Sequence, residues 1–191
     1  MFTIKKGSSR IVILIPFFGI AIKFPIIYPR AFFKSLYRVC FGDFSKKPEL
    51  RRYFVKLICN MRDTDEQFSG GWYLFRGISD NWTEFLFLFK NRKSAFLMPT
   101  YFSLFGLINI CPLGEEFENG LEYENAKRLW VELYTVTNGD VLKEGHHFEE
   151  TKNFCIYKGV LKMCDYGGIG VRQVISHHIL ALDDLSRRFQ K

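Results

Sequence analysis

Hydrophobic positions first cluster between Ile11 and Ile22, a run of twelve uncharged residues. Ile11, Val12, Ile13, Ile15, Ile20 and Ile22 are β-branched, which favours strands. Pro16 and Pro25 sit badly in a helix interior. The run therefore predicts two buried strands, 10–15 and 19–24, joined by a tight connection at Pro16-Phe17-Phe18. Farther on the period becomes helical. Leu50, Phe54, Leu57, Ile58 and Met61 predict a helix over 49–61, with Pro48 suited to its first turn. Trp82, Phe85, Leu86 and Phe89 predict another over 81–91, capped by Asp80 or Asn81. Strands are expected at 96–105 and 106–112, ended by Pro112-Leu113-Gly114. Ala126, Leu129, Trp130, Leu133 and Tyr134 form a helical stripe over 119–135. Residues 153–165 read as a strand pair around a Lys158-Gly159 turn, and a last helix follows over 171–188. This mixture predicts an α+β fold, and 191 residues suit one domain.

Composition narrows the class. With 48% hydrophobic and 25% charged residues the chain is neither collagen-like, coiled-coil nor disordered. Lys5, Lys6 and Arg10 before the apolar run resemble the start of a secretory signal. Lys23 ends that run too early for a membrane span, and no small-x-small cleavage site follows. The expectation is a cytoplasmic protein with no transmembrane segment. The five cysteines form no C-x-x-C pair, so free thiols are expected rather than a disulfide framework or a zinc site. The net charge of +7 is unevenly spread. Residues 30–62 are basic, whereas 115–150 hold ten acids against three bases. A basic segment can meet an anionic substrate, nucleic acid, a membrane surface or only water, and charge alone argues weakly for nucleic acid. The two halves also suit pairing between subunits in a homodimer.

Four residues stand where phosphoryl-transfer chemistry would need them. Lys23 ends the strand Gly19-Ile20-Ala21-Ile22-Lys23, and Glu84 lies on the helix that begins near Asn81. Asn153 and Asp165 flank the strand pair, twelve positions apart. A lysine can steady nucleotide phosphates, a helix carboxylate can orient it, and an Asn and an Asp can share Mg²⁺.

These residues resemble motifs of the protein-kinase-like superfamily, in particular its small atypical bacterial and phage members and the lipopolysaccharide kinases. Ile20-Ala21-Ile22-Lys23 resembles the V-A-I-K strand motif. Asn81-x-x-Glu84 and the two following strands resemble the central helix and the strands leading to the hinge. Asn153, its hairpin and Asp165-Tyr166-Gly167 resemble the catalytic-loop Asn and the D-F-G metal motif. The resemblance spans about 10–170 and implies a minimal two-lobed fold. Residues 1–113 would form the first lobe, with a helical insertion at about 30–78, and 114–191 a reduced second lobe. It implies ATP and Mg²⁺ as cofactors, with Lys23 on the phosphates, Glu84 orienting it, and Asn153 and Asp165 on the metal. It also implies departures. Only Gly7-Ser8-Ser9 precedes Lys23 where a G-x-G-x-x-G loop is expected. Phe148 stands five residues before Asn153, where the catalytic Asp belongs, and His146 stands where the loop histidine belongs. Glu149 or Glu150 would have to substitute as the base. The implied function is an ATP-dependent phosphotransferase. A pseudokinase or interaction module without catalysis is the alternative, and a basic nucleic-acid or membrane-surface binder is the next.

Overall fold

The β-branched residues at the start of the chain form an antiparallel meander in the computed structural model. The structure describes residues 2–7, 9–27, 29, 70–116 and 122–189. Strands β1 (Thr3–Lys6), β2 (Arg10–Ile15) and β3 (Ile20–Pro25) follow in order, with a 3-10 turn at Pro16–Phe18 between the last two. β2 and β3 fall close to the ranges that the apolar run predicts. β1 has no counterpart in the sequence reading. Its residues are all exposed and include Lys5 and Lys6, so no alternation announces it. β4 (Phe102–Leu104) and β5 (Ile108–Pro112) complete a five-stranded sheet in the order β1-β2-β3-β5-β4.

Register decides what this sheet presents. Side chains alternate along a strand, and directly paired residues share a face. Arg10, Val12 and Leu14 therefore share one face of β2. Val12 pairs with Lys23 and Leu14 with Ala21. Across β3 and β5, Lys23 pairs with Asn109 and Ala21 with Cys111. Those four β3 and β5 residues are the buried ones of an alternating pattern. One face of the sheet thus sets two cations, Arg10 and Lys23, among small and apolar side chains.

Helix α1 (Gly70–Lys90) packs on that face. It begins well before the expected 81, so Asp80 and Asn81 lie within it and cap nothing. Tertiary partners hold Asn81 there instead. The Asn81 amide donates to the Gly106 carbonyl at 3.0 Å, and the Asn109 amide donates to the Asn81 carbonyl at 2.8 Å. Asp80 lies 3.6 Å from Arg76, one turn earlier. The expected insertion at 30–78 consequently overlaps α1 at its end. The expected helix over 49–61 lies outside the described residues.

The segment after α1 runs between the two sheets rather than forming the full strand expected at 96–105. Phe96, Leu97 and Met98 are buried, and Leu97 makes an isolated parallel bridge to Met163. The Met98 N–H donates to the Met163 carbonyl at 3.0 Å, and the Met163 N–H to the Phe96 carbonyl at 2.8 Å. Pro99 then removes a backbone donor, and pairing with β5 resumes where the Tyr101 N–H donates to the Ile110 carbonyl at 2.8 Å.

The second sheet has the order β6-β7-β8, with β6 (Glu115–Glu116), β7 (Phe154–Tyr157) and β8 (Val160–Met163). The β7–β8 hairpin turns on Lys158 and Gly159 as the sequence suggests. Both have positive φ (54° and 73°), the requirement of a tight primed turn. Helices α2 (Glu122–Val136), α3 (Gly145–Phe148) and α4 (Ile169–Arg188) accompany this sheet. The main hydrophobic core lies here, where Leu129 and Leu133 of α2 meet Phe154, Leu161 and Met163, and Val171, Ile175, Leu182 and Leu185 of α4. The fold is α+β. No described helix is long and apolar enough to cross a membrane.

Candidate functional site

The cation-bearing face of the first sheet looks across a cavity of about 290 Å³ toward the second sheet. Ala21, Lys23 and Cys111 line it from one side, and Asn153, Cys155 and Asp165 from the other. Leu113 and Gly114, where the chain passes between the sheets, form part of the wall.

Lys23 is buried, and so is Glu84 on α1. The Lys23 ammonium donates to Glu84 Oε1, and also to the Cys164 carbonyl at 2.7 Å. Burial works against the charge on Lys23, but Glu84 together with Cys111 and Asp165 outweighs it, and the ammonium titrates above its usual value. One sequence-named pair therefore meets as an ion pair in the cavity wall.

Asp165 joins this pair through a residue that sequence reasoning missed. The Arg10 guanidinium donates from one arm to Glu84 Oε2 and from the other to Asp165 Oδ1. Burial would raise the Asp165 carboxyl, but Arg10 and then Lys23 outweigh it and hold the group well below the usual carboxylate range. Arg10 is opposed by its own burial, yet Asp165, Glu84 and Asp80 keep it charged. The outcome is a neutral quartet, with Arg10 and Lys23 against Glu84 and Asp165. No local signal marks Arg10, because it merely opens a strand and its partners lie 74 and 155 positions away.

Asn153 lies beside the quartet. The Cys164 N–H donates to the Asn153 carbonyl at 2.7 Å, and the Asn153 amide donates to the His147 carbonyl at 2.9 Å. Tyr166, next to Asp165, is fully buried and donates to the Met98 carbonyl at 2.7 Å. This anchors the Asp165 backbone to the segment between the sheets. Glu149 and Glu150 are exposed and do not line the cavity, and Glu150 pairs with Lys152 at 2.8 Å. Phe148 is 2% exposed and belongs to the hydrophobic core.

Three free thiols, Cys111, Cys155 and Cys164, also line the cavity. Cys164 donates to Cys155 across 3.1 Å, which lowers the Cys155 thiol and raises that of Cys164. Burial pushes the Cys111 thiol up.

The donors do not fit a divalent metal as they stand. Mg²⁺ takes oxygen ligands in near-octahedral geometry. Asp165 Oδ1 accepts from Arg10, so a metal at this carboxylate would lie beside a buried guanidinium. Among the described residues no three His, Cys, Asp or Glu side chains converge on a common point. The arrangement can instead hold an anion, since the cavity lining carries more cationic than acidic side chains. Comparison of the chain with protein-family models, curated proteins and solved structures gives no match.

Proposed function

We propose that this chain is a kinase-like protein that binds a nucleoside triphosphate in the cavity and transfers its terminal phosphoryl group. The observation that carries the reading is the buried Lys23–Glu84 ion pair in the wall of a cavity that also exposes Asp165 and Asn153. A strand lysine paired with a helix glutamate is the arrangement that steadies phosphates in protein kinases, where an Asp and an Asn face it. The lysine contributes charge and position, and most of the catalysis of phosphoryl transfer lies in those two effects. The acceptor would be an anionic or polar molecule reaching the open side of the cavity.

The second reading is nucleotide binding without transfer. It is favoured by the burial of Phe148 where a base would stand and by the absence of Glu149 and Glu150 from the cavity lining. Loss of a general base costs on the order of 10²–10⁴ in rate, so transfer is slowed under the first reading and absent under the second.

Thermal unfolding with and without ATP tests both. A ligand at a hundred times its Kd stabilises the native state by about 2.7 kcal/mol. A raised midpoint in the wild type, and none in Lys23→Met, supports the nucleotide site. Transfer of label from γ-labelled ATP to any acceptor or to water then separates the readings. An unchanged wild-type midpoint at millimolar ATP rejects both.

A further inference from the structure

The charges around the cavity are unequal. Lys5, Lys6, Arg10, Lys23 and Lys152 line it together with Asp165; Arg10 and Lys23 are balanced by Glu84 and Asp165, and Lys152 pairs with the exposed Glu150. Glu84 stands behind the wall, already matched by Lys23 and Arg10. In a phosphate site walled by carboxylates, a divalent cation is needed because the acids and the phosphates repel one another until it binds. In this chain the protein itself supplies a cation at that place. The Arg10 side chain is 9% exposed and bridges both acids of the site. A guanidinium stays charged throughout the accessible pH range, and its planar fork serves two acceptors at once.

We propose that Arg10 is the resident cation of this site, and that the cavity binds the phosphate groups of a nucleoside triphosphate without a divalent metal. The inference rests on the nucleotide reading above and adds to it the identity of the cation. With Asp165 neutralised from within the fold, no carboxylate of the lining is left uncompensated against the phosphates. Mg²⁺ would have to displace Arg10 from Asp165 or take its place beside it against like charge.

Titration calorimetry with ATP, in EDTA and in Mg²⁺, tests the proposal. The wild type is expected to bind in EDTA within about threefold of its affinity in Mg²⁺. Arg10→Gln is expected to lose about tenfold or more in EDTA, the scale of one charge-assisted contact, and to recover in Mg²⁺ because Asp165 is then released for the metal. Asp165→Asn leaves Arg10 on Glu84 and is expected to bind in EDTA at least as well as the wild type. Wild-type binding that appears only with Mg²⁺ overturns the role of Arg10 and leaves the nucleotide reading standing. So does equal affinity in EDTA for the wild type and a folded Arg10→Gln. Should Arg10→Gln fail to fold, the wild-type comparison and Asp165→Asn decide between the outcomes. Absence of ATP binding by the wild type under both conditions overturns the nucleotide reading itself.

Discussion

Asp165 is pulled in two directions, and the direction that wins has a consequence for acid stability. Burial favours its protonated form, while Arg10 and Lys23 favour the carboxylate more strongly. The folded value therefore lies below the unfolded one, which is about 4. A group depressed on folding contributes stability above its unfolded pKa and loses it as pH falls through the folded pKa. The contribution of Asp165 is thus complete at neutral pH and disappears progressively below about pH 4. Asp140 adds to the same limb. Lys143 at 2.7 Å and His178 at 2.8 Å lower its carboxyl to about 2. Asp165→Asn is expected to flatten the acid limb of a urea-midpoint profile between pH 5 and pH 2 without removing it. An acid limb with unchanged slope in a folded Asp165→Asn would show that Arg10 does not hold the carboxylate in solution.

At the scale of elements, α1 is seated closely against the first sheet. A Cβ placed on Gly77 would come within 2.3 Å of the Ser9 carbonyl oxygen and 2.8 Å of Pro25 Cβ. Glycine is needed there because the helix backbone approaches Ser9, just before β2, and Pro25, at the end of β3, not because of its φ. Glu84 lies two turns farther along the same helix, so the seat at Gly77 sets how far Glu84 stands from Lys23 and Arg10. Gly77→Ala gains up to about 1 kcal/mol of helix propensity, but overpacking costs about 1–3 kcal/mol. A net loss of about 1–2 kcal/mol is expected, or roughly 2–8 °C in midpoint for a chain of this size. ATP affinity should fall with it. A stabilised Gly77→Ala with normal ATP binding would mean that α1 is free to shift outward. Sequence reading reached this level unevenly. The β-branched run defined β2 and β3, and Lys158-Gly159 marked the second hairpin, because both signals are local. The start of α1 was hidden, since Gly70 and Gly71 are poor helix formers and Asp80 looks like a cap until its neighbour Asn81 is seen bonding to Gly106. The four residues singled out as Lys23, Glu84, Asn153 and Asp165 were visible through motif-like spacing. Arg10, which joins two of them, was not, because its role depends on strand register and on two distant acids.

Across the whole molecule, the quartet connects the first sheet, α1 and the second hairpin. Arg10 and Lys23 come from the first sheet, Glu84 from α1, and Asp165 from the end of the second hairpin. Such a group is not built for stability. Removing water from charges costs nearly as much as their attraction returns, and well-packed apolar replacements are often neutral or stabilising. Removing one member is different. Lys23→Met leaves Arg10 facing two carboxylates, one negative charge in excess. Glu84→Leu leaves Arg10 and Lys23 facing Asp165, one positive charge in excess. Each is expected to cost about 3–5 kcal/mol, the usual result of stranding a buried charge. The double variant restores neutrality, because Arg10 and Asp165 remain paired. Its loss should therefore fall short of the sum of the two single losses by a coupling energy of about 1–3 kcal/mol. A double variant whose loss equals the sum of the two single losses would rule out the quartet as a unit. The same protein also separates folding from function. It should unfold cooperatively and fail to bind ATP, because neutrality can be restored with methionine and leucine, whereas the phosphate contact requires the Lys23 ammonium.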